Sequence, residues 1–240
     1  MKIGYAAAAM AALALAAPGL AQGNESDFST KEIRAVMHGY ARCIVAKQGG
    51  KASQALIRNL DNSTILRRYP MLIDGDCLTD ETGTPATMRF QGDLYRYALA
   101  DALVNRELAT APVPALDGVA PLEQQPLPDK PEPLASDASK SSRRKYEKAM
   151  DDYREALSNQ FLARYGECVV RLDASTAKAL LLTAPDSAEE AASFGRLRTA
   201  LATCLPEGET LRFGKVALRG SIAINYFRLA HAAHAAATAP

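Results

Sequence analysis

The sequence predicts an all-α protein made of two tandem copies of a small three- to four-helix bundle unit, each with one intra-unit disulfide. Three observations lead there. Two cysteines recur in step across an internal repeat, apolar residues recur at intervals of three and four, and no alternating stretch is long enough to build a sheet.

The repeat is read position by position. Tyr40 matches Tyr165, Cys43 matches Cys168, and Ile44 with Val45 matches Val169 with Val170. Further on, Cys77 and Leu78 match Cys204 and Leu205, TMRF at 87–90 matches TLRF at 210–213, and Arg96 and Ala100 match Arg219 and Ala223. The copies are separated by 109–142, which holds seven prolines, from Pro112 to Pro133. Such a stretch favours extended conformers and buries little, so a mobile or surface-lying linker is expected. An extended strap held by Val113, Leu116 and Leu122 is the alternative. The expected organisation is a signal peptide at 1–21, a first helical unit at 22–108, a Pro-rich linker at 109–142 and a second helical unit at 143–240.

The elements follow in order. Lys2, an apolar run of about 15 residues and the small residues Gly19 and Ala21 have the charged start, apolar middle and small-residue exit of a secretory signal peptide. The run is shorter than the roughly 20 residues a spanning helix needs, so cleavage after Ala21 is expected rather than an uncleaved anchor. Ser29 and Glu32 form a capping box that opens a helix with Ile33, Val36, Met37, Tyr40, Ala41 and Ile44 on one face, ending near Gly49 and Gly50. A short second helix covers 51–60, an irregular stretch with Pro70 follows, and a last helix covers 91–108. The second unit begins with a long helix at 142–171, followed by helices at 174–183 and from Asp186 onward, with Phe194, Leu197, Leu201 and Cys204 on one face. A helix at 214–236 ends the unit. The TxRF pieces suit a helix start or a very short strand equally.

Composition narrows the function classes. The formal charge is +1, and falls to zero once Lys2 leaves with the signal peptide, so no general attraction to nucleic acid or anionic membrane is expected. An oxidising compartment and an even count of four cysteines favour disulfides. A duplicated, independently stable unit carries its bridge with it, which predicts Cys43–Cys77 and Cys168–Cys204.

The chemistry-bearing residues are sparse. There is no C-x-x-C, no G-x-S-x-G, no phosphate-cradling glycine loop and no zinc hydrolase helix. His231 and His234 sit three apart on the last helix without a nearby third ligand, and His38 lies beside the apolar stripe of the first. Asp74, Asp76 and Asp80 imitate the start of a calcium loop, but Thr79 replaces its glycine and Pro85 its final glutamate. Ser221 sits inside a helix. No catalytic residue, cofactor or metal site is predicted.

The most suggestive charged feature is the set Arg89, Arg96, Arg212, Lys215 and Arg219. These either pair with acids such as Asp93 or Glu189 and lock the bundle, or form an anion- or partner-binding strip. A structural role is the stronger expectation. The expected function is an exported, periplasmic or secreted, non-catalytic structural or interaction protein whose partner is a protein or envelope polymer rather than nucleic acid. The alternatives are a cell-envelope hydrolase, which requires a histidine meeting a carboxylate or serine in a cleft, and a small-ligand binder, which requires an apolar pocket between the copies.

Overall fold

Eight α-helices form among the residues that the computed structural model describes, 30–78, 93–207 and 213–238. The proposed signal peptide, the first TxRF piece, Arg89, Asp80 and Arg212 lie outside them. Helix α1 (Thr30–Ile57) joins the two expected first helices into one, with a kink at Gln48 where the backbone leaves helical geometry (φ −134°, ψ 27°). The break falls beside the Gly49–Gly50 pair, the residues with least steric preference for a helix. Helix α2 (Asn62–Arg68) is capped by Asp61 and gives way at Pro70 to a 3₁₀ turn, Pro70–Leu72, and then to a second one, Gly75–Leu78. Helix α3 (Leu94–Leu103) continues into a π-helical turn, Val104–Leu108.

Helix α4 (Lys140–Leu172) is capped by Ser139, whose hydroxyl accepts from Ser142 N at 3.1 Å. Helix α5 (Ala174–Leu181) starts at Asp173, as its sequence predicts. The cap of α6 (Ala188–Arg196) is Ser187, accepting from Glu190 N at 3.0 Å, one residue later than the Asp186 expected. A turn at Leu197 separates α6 from α7 (Arg198–Thr203), so the single third helix expected there is two short ones. Helix α8 (Lys215–Thr238) ends the described chain.

The packing order is α1 on α3, α3 on α8 and α8 on α4, with α5 against α6 and α8. Helices α3 and α8 are therefore central. Their sequences say so: residues 95–97 and 99–103 in α3 and 219–229 in α8 are buried on every side, as expected of a helix enclosed by neighbours. Two close approaches depend on glycine. A Cβ on Gly220 would overlap the ring of Tyr97 in α3, and one on Gly166 in α4 would overlap Ser221 of α8.

The fold is all-α and multi-helical, with one disulfide in each half. Cys43 bonds Cys77 and Cys168 bonds Cys204, each tying the latter part of a long helix to the segment that ends the next helical stretch. Among the described residues no helix is long and apolar enough to cross a membrane.

The Pro-rich segment lies against the body as a strap. Leu116, Val119 and Leu122 pack on the core, whereas Val113 is exposed. Asn59 Nδ2 donates to Glu123 O at 3.1 Å and Gln125 Nε2 donates to Asn59 O at 2.9 Å, which attaches the strap to the first half. On the second half, Glu167 accepts from Leu122 N at 2.9 Å, and Arg171 donates to the carbonyls of Val119 and Ala120. The strap thus contacts both halves rather than one.

The inward face of α1 differs from its apolar stripe. Tyr40, Ala41, Ile44 and Val45 are buried, but Ile33 and Val36 are nearly half exposed. Arg34, His38 and Ala41 turn inward over the first turns instead, because Arg34 meets Glu190 at 2.7 Å and also Asp186. A buried ion pair across 156 residues of chain outranks two apolar contacts in setting that face.

Candidate functional site

Of the predicted arginine strip, Arg96, Lys215 and Arg219 lie among the described residues, and these three do not share one surface. Lys215 is exposed at the start of α8, while Arg219, one turn later, is buried. Arg219 donates to Asp101 (Nε to Oδ1, 3.1 Å), to Glu190 (Nη1 to Oε1, 3.0 Å) and to the carbonyls of Leu180, Leu181 and Thr183. Its carboxylate partners are Asp101 and Glu190, not Glu189. Arg96 is also buried, pairing with Asp93 at 3.0 Å and donating to Asn59 Oδ1 at 2.7 Å. The two matched arginines serve separate clusters.

The Arg219 cluster spans both halves of the chain: Arg34 and His38 from α1, Asp101 from α3, Asp186 and Glu190 at the start of α6, and Arg219 from α8. Burial pushes the Asp101 carboxyl up to about 6 despite Arg219 beside it. Glu190 is held below its ordinary value because Arg34 and a backbone donor outweigh its burial. His38 Nδ1 lies 3.5 Å from Asp101, yet burial, followed by the charges of Arg219, Arg42 and Arg34, lowers the imidazole to about 4. The histidine is neutral at physiological pH.

This is the histidine–carboxylate pair a hydrolase requires, beside a small cleft of about 60 Å³. The Asp101 oxygens are already committed to Arg219, and no serine, threonine or cysteine lines the cleft among the described residues. The other pair, His231 Nε2 and Glu107 at 3.6 Å, was not anticipated, since Glu107 is distant in sequence. No group of three metal-ligating side chains occurs among the described residues. Asp74 instead pairs with Lys47 at 2.7 Å and accepts from Asp76 N.

A second arginine site carries more chemistry. A cavity of about 280 Å³ opens between α2, α3, the strap, α4 and α8. Arg96 and Arg228 line it from α3 and α8, with amides supplied by Asn59, Gln124, Asn159 and Gln160. Arg228 is 7% exposed, and among the described residues it donates from Nη2 to Glu123 O at 2.7 Å. Its Nε has no hydrogen-bond partner, and no carboxylate lies within ion-pair distance among the described residues. Burial, then the charge of Arg96, lowers its pKa to about 10, so it still carries its charge at neutral pH.

Glu167 and Glu123 offset part of that burial from beyond ion-pair distance; a buried cation with no directly bonded counter-ion is costly, and an anion bound beside it would complete the site. The arrangement can therefore hold an anionic group between Arg228 and Arg96, with the amides donating to or accepting from the rest of a ligand. The strap positions one wall: Gln124 Nε2 donates to Glu167 at 3.0 Å and Gln160 Nε2 to Gln125 O at 3.3 Å. Sequence reasoning missed Arg228. The available signal was a single charge inside the largely apolar run at 222–230, where it has to find a partner. The pocket between the halves sets arginines and amides into a partly apolar wall, whereas a closed apolar one was expected of a ligand binder.

No known family, no curated protein and no solved structure matches the chain, so the site is read from its own geometry.

Proposed function

We propose that this chain is an exported, non-catalytic binding protein that takes a small anion-bearing ligand in the Arg96–Arg228 cavity. The observation that carries the reading is Arg228, buried on the cavity wall beside Arg96 and without a carboxylate at ion-pair distance among the described residues, Glu167 and Glu123 acting on it only from farther away. Polar amides around a fixed cation suit recognition, since they orient a ligand without supplying a nucleophile or base. The structural or interaction role first expected from the sequence is retained in part: the Arg219 cluster and the strap hold the two halves in the relation that forms the cavity.

In this reading the two halves descend from a duplication. Support comes from their matched bridges, with Cα separations of 5.7 and 5.8 Å and sequence separations of 34 and 36. The aligned tyrosines reach equivalent places, Tyr40 OH accepting from Asp74 N and Tyr165 OH donating to Leu201 O, each three residues before the second cysteine. Export rests on the charged and apolar pattern of 1–21 and on the pairing of all four cysteines.

Native mass spectrometry on protein recovered from its own host tests the ligand. A small anion released on denaturation from the wild type, and absent from Arg228→Met of unchanged melting behaviour, is the expected result; equal retention by both proteins would overturn the reading. Export is checked on the same material by N-terminal sequencing, with Gln22 expected first. A chain beginning at Met1 in a soluble cytoplasmic fraction would reject it.

A further inference from the structure

The cavity wall offers hydrogen-bond acceptors in surplus, and we infer that its ligand is an acidic monosaccharide, one sugar ring carrying several hydroxyl donors and a single acid group. This inference rests on the anion-binding reading above and names the class of ligand.

Three glutamines line the cavity, Gln124 and Gln125 from the strap and Gln160 from α4. Each commits its amide nitrogen to the protein. Gln124 Nε2 donates to Glu167 Oε2 at 3.0 Å, Gln125 Nε2 to Asn59 O at 2.9 Å and Gln160 Nε2 to Gln125 O at 3.3 Å. A carboxylate and two backbone carbonyls are acceptors, so each amide is fixed with its nitrogen toward the protein. The three amide oxygens make no hydrogen bond among the described residues, which leaves three acceptors for a ligand. Asn159 of α4 also lines the cavity, with its amide unbonded among the described residues.

The cationic donors lie together. The charge of Arg96 bears on Arg228, and both side chains line the cavity. Arg228 donates from Nη2 to Glu123 O, and its Nη1 makes no hydrogen bond among the described residues. An acid group seated there accepts from a charged donor, the stronger kind of hydrogen bond.

Charge limits the ligand to one such group. Asp61, Asp93, Asp152 and Glu155 line the cavity against Arg96 and Arg228. Arg96 pairs with Asp93 and Lys148 with Asp152, while Glu167 and Glu123 act on Arg228 from farther away. A second negative group on the ligand would meet carboxylates. Neutral hydroxyls suit the same wall, because amide oxygens and carboxylates both accept from O–H. Hydroxyls spaced round a ring reach acceptors on the strap and on α4 at once, whereas the donors of an ammonium are gathered on one atom. At about 30 Å³ per water, a cavity of about 280 Å³ displaces about nine waters, the scale of one sugar ring with its substituents.

Isothermal titration with four probes tests this. Glucuronate and galacturonate differ in the orientation of one hydroxyl; cyclohexanecarboxylate keeps a six-membered ring and the acid without hydroxyls; glucose keeps the hydroxyls without the acid. The better uronate is expected to bind about tenfold or more tightly than cyclohexanecarboxylate or glucose. Gln160→Met and Gln125→Met, each of unchanged melting behaviour, are expected to weaken that uronate about tenfold and to change cyclohexanecarboxylate little. Arg228→Met is expected to weaken both kinds of acid. If cyclohexanecarboxylate binds as well as both uronates, or the folded glutamine variants leave the uronate unchanged, the sugar inference falls and the anion site stands. If no acid binds the wild type, if glucose binds as well as the uronates, or if folded Arg228→Met binds the acids undiminished, both ideas fall.

Discussion

Arg219 shows how one side chain can hold distant parts of a chain together. Its guanidinium satisfies Asp101 of α3, Glu190 of α6 and three carbonyls that end α5 or follow it. Removing it leaves two buried carboxylates short of a partner, so Arg219→Met is expected to cost about 3–5 kcal/mol in urea denaturation. A loss below about 1 kcal/mol would mean that these carboxylates are stabilised by other groups. His38 beside it gives a pH prediction with a definite sign. In the unfolded chain His38 titrates near 6.5 and Asp101 near 3.8; in the folded chain they titrate at about 4 and about 6. Between these limits the unfolded pair carries its proton on the histidine and the folded pair carries it on the aspartate. Proton numbers match, and the pair contributes almost no pH dependence. In His38→Gln only Asp101 remains, with its folded pKa raised. Its stabilising contribution is then full below about 3.8 and is lost as pH rises through about 6. Relative to wild type, the variant's stability is expected to fall with rising pH by up to about 1.4 kcal/mol per unit between pH 4.5 and 6. Parallel curves for the two proteins would refute that assignment.

Among the elements, the strap is the one whose role depends most on a few contacts. It contributes Leu116, Val119 and Leu122 to the core, and beside the donations of Arg171 and Gln160 to its carbonyls its attachment to α4 centres on one buried carboxylate. Glu167 accepts from Leu122 N, Gln124 Nε2 and Arg171 Nε, all within 3.0 Å. Glu167→Ala removes the shared acceptor and leaves Arg171 without its carboxylate. The segment between Val119 and Lys130 is expected to open more often, and cleavage after Glu123 by a glutamate-specific protease to rise about tenfold or more with helical content unchanged. Unaltered cleavage would place the anchoring in the apolar contacts and the other hydrogen bonds to the strap. The strap also supplies Gln124 and Gln125 to the cavity wall, so the same variant is expected to weaken ligand binding.

At the level of the whole molecule, two disulfides close loops of 34 and 36 residues within separate halves. Loops of that length restrict the unfolded chain enough to stabilise the fold by about 2–4 kcal/mol each. The paired variant Cys43→Ala with Cys77→Ala is therefore expected to lose about that much, read from the denaturation midpoint. Non-reducing digestion is expected to yield peptides joining Cys43 to Cys77 and Cys168 to Cys204; a peptide joining Cys43 to Cys168 would contradict the structure. The halves meet through α3 and α8, where Gly220 lets the backbone of α8 approach the Tyr97 ring. That close contact brings Arg96 and Arg228 to one cavity, so the binding site belongs to the assembled molecule and not to either half.

The sequence by itself determined what depends on neighbouring residues. Apolar spacing and caps located most helices to within a few residues, and the register of the cysteines indicated their pairing. It also marked 109–142 as extended, since proline restricts its own backbone whatever surrounds it. The tertiary structure decided what depends on distant partners. Arg34 meets acids 152 and 156 residues away, which turned the first face of α1 inward through an ion pair that its apolar periodicity could not reveal. Arg96 and Arg219, equivalent in the repeat, entered different clusters because their neighbours come from different elements. Arg228 became the centre of a candidate site only once α2, the strap and α4 closed around it. Helix propensity and capping act over a few residues, whereas the electrostatic state of a buried group is set by everything folded against it.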